Sequence, residues 1–170
     1  IGEATAEALA ALKYNVILVA RRRDRLQALA QKIGEKHNVD VEFAVMDVSL
    51  KVRVDELAAA HSAKNIAVLV NNAGLAKGVE KLFDGKTEDF DVMIDVNVKG
   101  LLYMTRAFLP GMMKRKAGHI VNVGSVAGRW TYPGGAVYAA SKFAVRALSE
   151  GLRMDLLGVP VRVTNIEPGM

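Results

Sequence analysis

Short apolar runs rich in β-branched residues alternate with longer stretches of helical periodicity along the whole chain. Residues 2–13 (GEATAEALAALK) are Ala-rich with apolar positions at helical spacing, which predicts a helix. Residues 15–20 (NVILVA) form an uninterrupted apolar run, the signature of a buried strand. Residues 23–37 read as a helix, with Leu26, Leu29, Ala30 and Ile33 on one face. Residues 41–47 alternate as a strand, and Ser49 is placed to cap the helix expected over 52–62. A strand over 67–71 and a polar loop over 77–86 follow. Thr87, backed by Glu88 and Asp89, opens a helix expected to reach Lys116, with Pro110 predicting a kink or break inside it. Residues 119–123 predict a strand, 136–157 a helix and 161–166 a last strand. No repeat, linker or low-complexity segment interrupts the series.

Regular alternation of strand and helix implies right-handed crossovers and a mostly parallel sheet covered on both faces. The expected fold is therefore α/β, a doubly wound Rossmann-like sheet forming one domain over residues 1–170. In the usual strand order of such sheets, 3-2-1-4-5-6, the first strand is central. The chain opens with the helix that would follow that strand. A vacant central position would strip two neighbours of their ladder partners, so the expectation is a domain incomplete at both ends, before Ile1 and after Met170.

Candidate chemistry concentrates in residues 124–142, GSVAGRWTYPGGAVYAASK. Ser125 lies just past a strand end, and Tyr138 and Lys142 stand four residues apart, which puts phenol and ammonium on one helical face. A phenol with an ordinary pKa of about 10 trades protons poorly near neutrality. A neighbouring ammonium favours the phenolate, which is how a tyrosine becomes a general acid or base. A serine hydroxyl facing the pair can hydrogen-bond a substrate oxygen. Each element alone also fits a plainer role: a half-buried Tyr beside a solvated Lys, and a turn serine.

Composition narrows the remaining classes. The chain has no cysteine, which excludes disulfides and thiolate metal sites. His37, His61 and His119 have no ligand-like spacing, so no metal site is expected. A net charge of +5 invites a polyanionic partner. The basic residues are spread out, however, apart from Arg21-Arg22-Arg23-Asp24-Arg25 and Lys114-Arg115-Lys116, and nucleic acid is not expected. No apolar run is long enough to span a bilayer, so no membrane partner is expected either.

With Asn71-Asn72-Ala73-Gly74 after one strand, Asn97 in a helix and Pro168-Gly169 after another strand, the chain resembles the short-chain dehydrogenase/reductase family along its whole length. The resemblance implies a cytoplasmic oxidoreductase interconverting a secondary alcohol and a carbonyl, with a catalytic set of Asn97, Ser125, Tyr138 and Lys142. Tyr138 would be the general acid or base, and Lys142 would tune it and bind the nicotinamide ribose. Ser125 would hold the substrate oxygen, and Asn97 a water leading to Lys142. Gly2 matches the last glycine of the family's cofactor loop. Asp47 and Val48 match its adenine pair, Asn72, Ala73 and Gly74 its cleft lining, and Pro168 and Gly169 its nicotinamide-side turn. Where NAD-preferring relatives carry a carboxylate after the second strand, this chain has Ala20 followed by Arg21 and Arg22, which implies NADP. The competing reading of the two arginines is a solvated helix start.

The loop over 128–135 and Ile166-Glu167-Pro168-Gly169 look like those of members acting on small 3-hydroxy acids such as serine, with Arg129 a conceivable carboxylate partner. Other carbonyl substrates and a non-catalytic, NADP-sensing relative are the alternatives. The long apolar helices over 96–113 and 136–157 exceed what one buried face needs, and the resemblance implies a homo-oligomer, a tetramer or dimer.

Overall fold

The computed structural model describes residues 1–169. Five strands, β1 (Val16–Ala20), β2 (Val41–Val45), β3 (Val68–Asn71), β4 (Gly118–Val123) and β5 (Val161–Ile166), alternate with six helices. The helices are α1 (Gly2–Ala11), α2 (Arg23–His37), α3 (Lys51–Ala60), α4 (Thr87–Ile94), α5 (Leu101–Arg115) and α6 (Ala136–Asp155). Every strand pairing is parallel, as buried β-branched runs joined by helical crossovers require. The strands form two ladders, β1-β2 and β3-β4-β5, and no ladder joins β1 to β3 among the described residues.

In the three-strand ladder the side chains alternate. Leu69, Asn71, Ile120, Asn122, Val161 and Val163 are buried, while their neighbours are at least partly open. The buried face packs on α5 and α6, where Ile120, Met104, Met112, Leu156, Val161 and Val163 join one core cluster. A second cluster gathers Ala6 and Ala10 of α1, Leu18 of β1, and Leu26 and Ile33 of α2. Small alanines on α1 let that helix lie close against its neighbours. Because all strands run the same way, their carboxyl ends open on one edge, where loops after β1, β3, β4 and β5 assemble.

Several local expectations differ from the structure. The expected helix over 87–116 is three consecutive segments, because a π-helical stretch, Asp95–Gly100, separates α4 from α5. Pro110 lies inside α5, whose helical assignment runs through it without a break. Ser49 does not cap α3. Leu50 stands at that position without a side-chain bond, while the Ser49 N–H and hydroxyl both donate to Asp47 Oδ1, at 2.9 and 2.7 Å. Ser49 stands one residue before that position, and its hydroxyl and N–H donate to the Asp47 carboxylate, a charged acceptor two residues away, so it does not cap the N–H groups of the first turn. Among the described residues, no helix is long and apolar enough to cross a membrane.

Candidate active site

The buried edge of the site is built by α6. Gly135 precedes its first turn, and the helix carries Tyr138 and Lys142 on one face. Lys142 is only 6% exposed. Its Nζ donates to the Val123 carbonyl at 2.9 Å and lies 5.8 Å from the centre of the Tyr138 ring. Burial pushes the Lys142 ammonium below the usual lysine range. No carboxylate pairs with it among the described residues, so its remaining two protons are free for a ligand.

Ser125 stands in extended backbone at the head of a single 3-10 turn, Val126–Gly128. Its Oγ accepts from the Ala127 N–H at 3.1 Å, which leaves the hydroxyl proton to donate elsewhere. Gly128 closes the turn against α6. A Cβ there would lie 2.8 Å from the Lys142 carbonyl oxygen, so only glycine lets the loop sit this close to the helix backbone. Serine, tyrosine and lysine are thus held by one loop-on-helix contact.

Asn97 sits in the π-helical stretch and is 2% exposed. Its Oδ1 accepts from Leu75 N and its Nδ2 donates to Leu75 O, both at 2.8 Å. The same Nδ2 donates to Ser141 Oγ at 3.0 Å, and Ser141 in turn donates to the Tyr138 carbonyl at 2.7 Å. The Asn97 side chain is thus committed to Leu75 and Ser141. A π-helical insertion inside a helix is a frequent mark of a functional site. Gly74 meets the group from the other side, where a Cβ would lie 3.3 Å from Asn97 Oδ1 and 3.4 Å from Lys142 Nζ. The segment after β3 thus reaches both Asn97 and Lys142, as two of the sequence motifs require.

The cofactor-side residues line the same edge. Gly2 begins α1 against Asn72, with a Cβ position 2.6 Å from Asn72 Nδ2. The bare glycine thus lets the Asn72 amide lie against the start of α1, where helix N–H groups are unpaired. Arg21 reaches within 3.7 Å of Asp47, with its side chain 64% exposed. Arg22 precedes α2 and has no ion pair among the described residues. Burial raises the Asp47 carboxyl, but the two Ser49 hydrogen bonds and the Arg21 charge outweigh it and hold the group below the usual carboxylate range. Val48 packs against Gly100 of the π-helical stretch. Pro168 accepts from the Val126 N–H at 3.0 Å, and Gly169 lies beside Val126, which ties the turn after β5 to the Ser125 loop.

Tyr138 opens onto a cavity of about 120 Å³ between residues 76–93 and the Tyr132–Ala136 loop. Lys77 there is bound by Asp89 at 2.8 Å. Arg129 is held by Glu167, which also accepts from Asn165 Nδ2 at 2.9 Å. Ser141 and the buried asparagine Asn122 were not singled out by the sequence, and Glu167 was named only within the turn over 166–169, not as the partner of Arg129. A polar residue in the apolar run 119–123 is the signal that marks Asn122.

The short chain dehydrogenase family profile matches residues 1–170. The NADP-dependent 3-hydroxy acid dehydrogenase of Salmonella typhi is 49% identical over 171 residues, covering 99% of this chain and 67% of that protein. The chain belongs to the short-chain dehydrogenase family. Sulfoacetaldehyde reductase 2 of Chromohalobacter salexigens, another relative, is 43% identical over 99% of this chain and 68% of its own length. The chain thus spans about two thirds of the length of these curated relatives. Among solved structures, serine dehydrogenase from Escherichia coli superposes with a TM-score of 0.93 at 47% identity, covering 99% of this chain and 77% of that one. A closed form of serine dehydrogenase complexed with NADP+ superposes with a TM-score of 0.90 at 45% identity, covering 99% and 68%. A Rossmann-type dehydrogenase needs a cofactor cradle at the strand ends. Here Gly2 and Gly74 let Asn72, Asn97 and Lys142 close in at that edge, and Arg22, without an ion pair among the described residues, brings charge to it.

Proposed function

We propose that the protein is an NADP-dependent oxidoreductase interconverting a secondary alcohol and a carbonyl, with a small 3-hydroxy acid as substrate. The observation that carries this reading is the buried Lys142 ammonium, unpaired with any carboxylate among the described residues, beside Tyr138 at the strand ends.

Arg21 and Arg22 would hold the 2′-phosphate, since forked guanidinium donors suit it. Asp47 and Val48 would flank the adenine, Gly2 the pyrophosphate, and Asn72, Ala73 and Gly74 the cleft floor. Pro168 and Gly169 would border the nicotinamide. When bound, the cofactor supplies or accepts the hydride. Ser125 donates its free hydroxyl proton to the substrate oxygen. Tyr138 gives a proton to that oxygen in reduction and takes it in oxidation. Lys142 orients the cofactor ribose with its spare N–H groups and places positive charge beside the phenol. Asn97 positions this face of α6 through Ser141 and would help to place a water leading to Lys142.

A second reading, reduction of a small anionic aldehyde, is favoured by the 43% identity to sulfoacetaldehyde reductase 2. Initial rates with NADP+ and a panel of 3-hydroxy acids, set beside NADPH with sulfoacetaldehyde and neutral ketones, separate the two. Turnover of the hydroxy acids with NADP+ is expected. No turnover with any of them would refute the substrate assignment. Assembly belongs to the same reading: Leu102, Met113, Phe143 and Met154 of α5 and α6 are 40–70% exposed, and their burial calls for a homo-oligomer. Light scattering at micromolar concentration should give a dimer or tetramer mass, and a monomer mass would contradict it.

A further inference from the structure

Two polar contacts tie α6 to β4. Lys142 Nζ donates to the Val123 carbonyl at 2.9 Å. Seven residues further, two turns along the same helical face, Ser149 Oγ accepts from Asn122 Nδ2 at 2.8 Å. Asn122 is the residue before Val123, so one short piece of β4 meets the helix twice.

The second contact belongs to a longer chain of bonds. Asn71 Nδ2 donates to Asn122 Oδ1 at 2.9 Å and to Thr105 Oγ1 of α5 at 3.0 Å. The parallel register places Asn71 directly opposite Asn122. Ser149 spends its own proton on the Val145 carbonyl at 2.7 Å, so its oxygen faces Asn122 only as an acceptor. The four side chains are no more than 8% exposed, with Asn122 at 1% and Ser149 at 0%. The proposed proton transfer uses none of them.

Buried amides and hydroxyls are costly unless bonded, and apolar residues of similar size would fill this core at lower cost. Fixing register is the best-attested use of such groups. Here the bonds join the strand ends that lead to Asn72 and Ser125 with the helix that bears Tyr138 and Lys142. A helix that slips by one residue moves about 1.5 Å. Misplacement of about 1 Å at reacting groups can lower a rate about 10²-fold.

We propose that Asn122 and Ser149, joined through Asn71 to α5, are positioning residues that fix the axial register of α6 on β4 and so hold Tyr138 and Lys142 against Ser125. This rests on the function proposed above.

The test compares Ser149→Ala, Asn122→Leu, the double variant and Ser149→Thr in the full-length protein, well below each melting temperature. The readouts are kcat, KM for NADPH, the isotope effect with deuterated NADPH, Tm, and the titration of Lys142 by 13C NMR. Ser149→Ala is expected to lower kcat about 10²-fold. Its KM for NADPH rises as well, because the displaced Lys142 also serves the ribose, its isotope effect rises, and its Lys142 titrates closer to an ordinary lysine. Ser149→Thr keeps the oxygen and retains most of kcat. The double variant leaves fewer buried groups unpaired, so it regains Tm relative to the single variants without regaining kcat. Single variants that lose Tm yet keep the parental kcat and isotope effect would overturn the proposal. If Ser149→Ala does not fold, Ser149→Cys replaces it, as a weaker acceptor of similar size. An intermediate kcat is then expected, and a parental one overturns the idea. If the parent turns over no substrate, the functional reading has failed and the Lys142 titration decides alone. An unchanged titration in the variants would then refute the positioning role.

Discussion

At the proposed nicotinamide end of the cleft, Lys142 is 6% exposed, Asn97 2% and Ser141 0%, and each is tied to named backbone or side-chain partners. At the proposed adenosine end, the Arg21 side chain is 64% exposed, and among the described residues its one ion pair spans 3.7 Å and Arg22 has none. Proton transfer requires atoms held within fractions of an ångström, and burial with exhaustive hydrogen bonding supplies that. Recognition of a phosphate dianion requires charge, which acts over a longer reach and tolerates mobile side chains. The same protein therefore spends buried polar groups at one end and solvated ones at the other. The first end should be insensitive to salt, the second sensitive.

The largest effect should come from Lys142→Ala, because the proposed function gives this side chain both the phenol and the cofactor ribose. We expect kcat to fall by about 10³-fold or more, with weaker NADPH binding as well, measured by steady-state kinetics and nucleotide fluorescence. Loss of only one of the two would show that Lys142 does not serve both.

Cofactor choice comes next. A hydrogen bond to a charged group is worth roughly 1.5–3 kcal/mol, so two arginines contribute roughly 3–6 kcal/mol before screening. At about 1.4 kcal/mol per decade, a screened NADP over NAD preference of about 10²- to 10³-fold follows. Arg21→Ala with Arg22→Ala should remove most of it through weaker NADP use, and adding Ala20→Asp should reverse it. Raising ionic strength should erode the ratio of kcat/KM values while leaving kcat with NADP unchanged. Equal use of both cofactors by the parent would reduce these arginines to a solvated helix start.

Gly128→Ala tests the loop-on-helix contact. Its Cβ would stand 2.8 Å from the Lys142 carbonyl oxygen, a backbone atom that cannot swing away. Overpacking of this kind costs about 1–3 kcal/mol. A lower Tm accompanied by an approximately tenfold loss of kcat, with the cofactor ratio unchanged, would confirm that the contact serves only the buried end.

The smallest effect is on the pH dependence of stability. Burial lowers the Lys142 pKa in the folded chain. Between that lowered value and the ordinary lysine range, the unfolded chain binds the extra proton, so stability rises with pH through this window. The stability deficit is complete below the folded pKa and gone above the unfolded one. Lys142→Met should flatten the alkaline limb of Tm against pH. An unchanged limb would mean that the ammonium is not desolvated.

The strands were legible because parallel, buried strands leave unbroken β-branched runs, and β5 was bounded correctly from Val161 to Ile166. The four-residue spacing puts Tyr138 and Lys142 on one face of α6, but that pair pointed to chemistry only beside Ser125, Asn71-Asn72-Ala73-Gly74, Asn97 and Pro168-Gly169. The π-helical stretch was not, since the apolar periodicity of residues 87–116 reads the same through one extra backbone residue. Ser49 stands one residue too early to cap α3 and turns its donors to the Asp47 carboxylate two residues away. The pairing of Asn122 with Asn71 and Ser149 depends on strand register and helix placement, across 51 and 27 residues. The Arg129–Glu167 pair spans 38 residues, and nothing in the local sequence marks it.

The most direct test of the account is the turnover of Tyr138→Phe at NADPH concentrations shown by fluorescence titration to be saturating. Only the phenolic oxygen is removed, at the buried end. The account predicts a loss of kcat of about 10²- to 10⁴-fold, the range of a general acid, with the affinity for NADPH and its preference over NADH within about threefold of the parent. Near-parental turnover at neutral pH, or loss of NADPH binding along with it, would contradict the account.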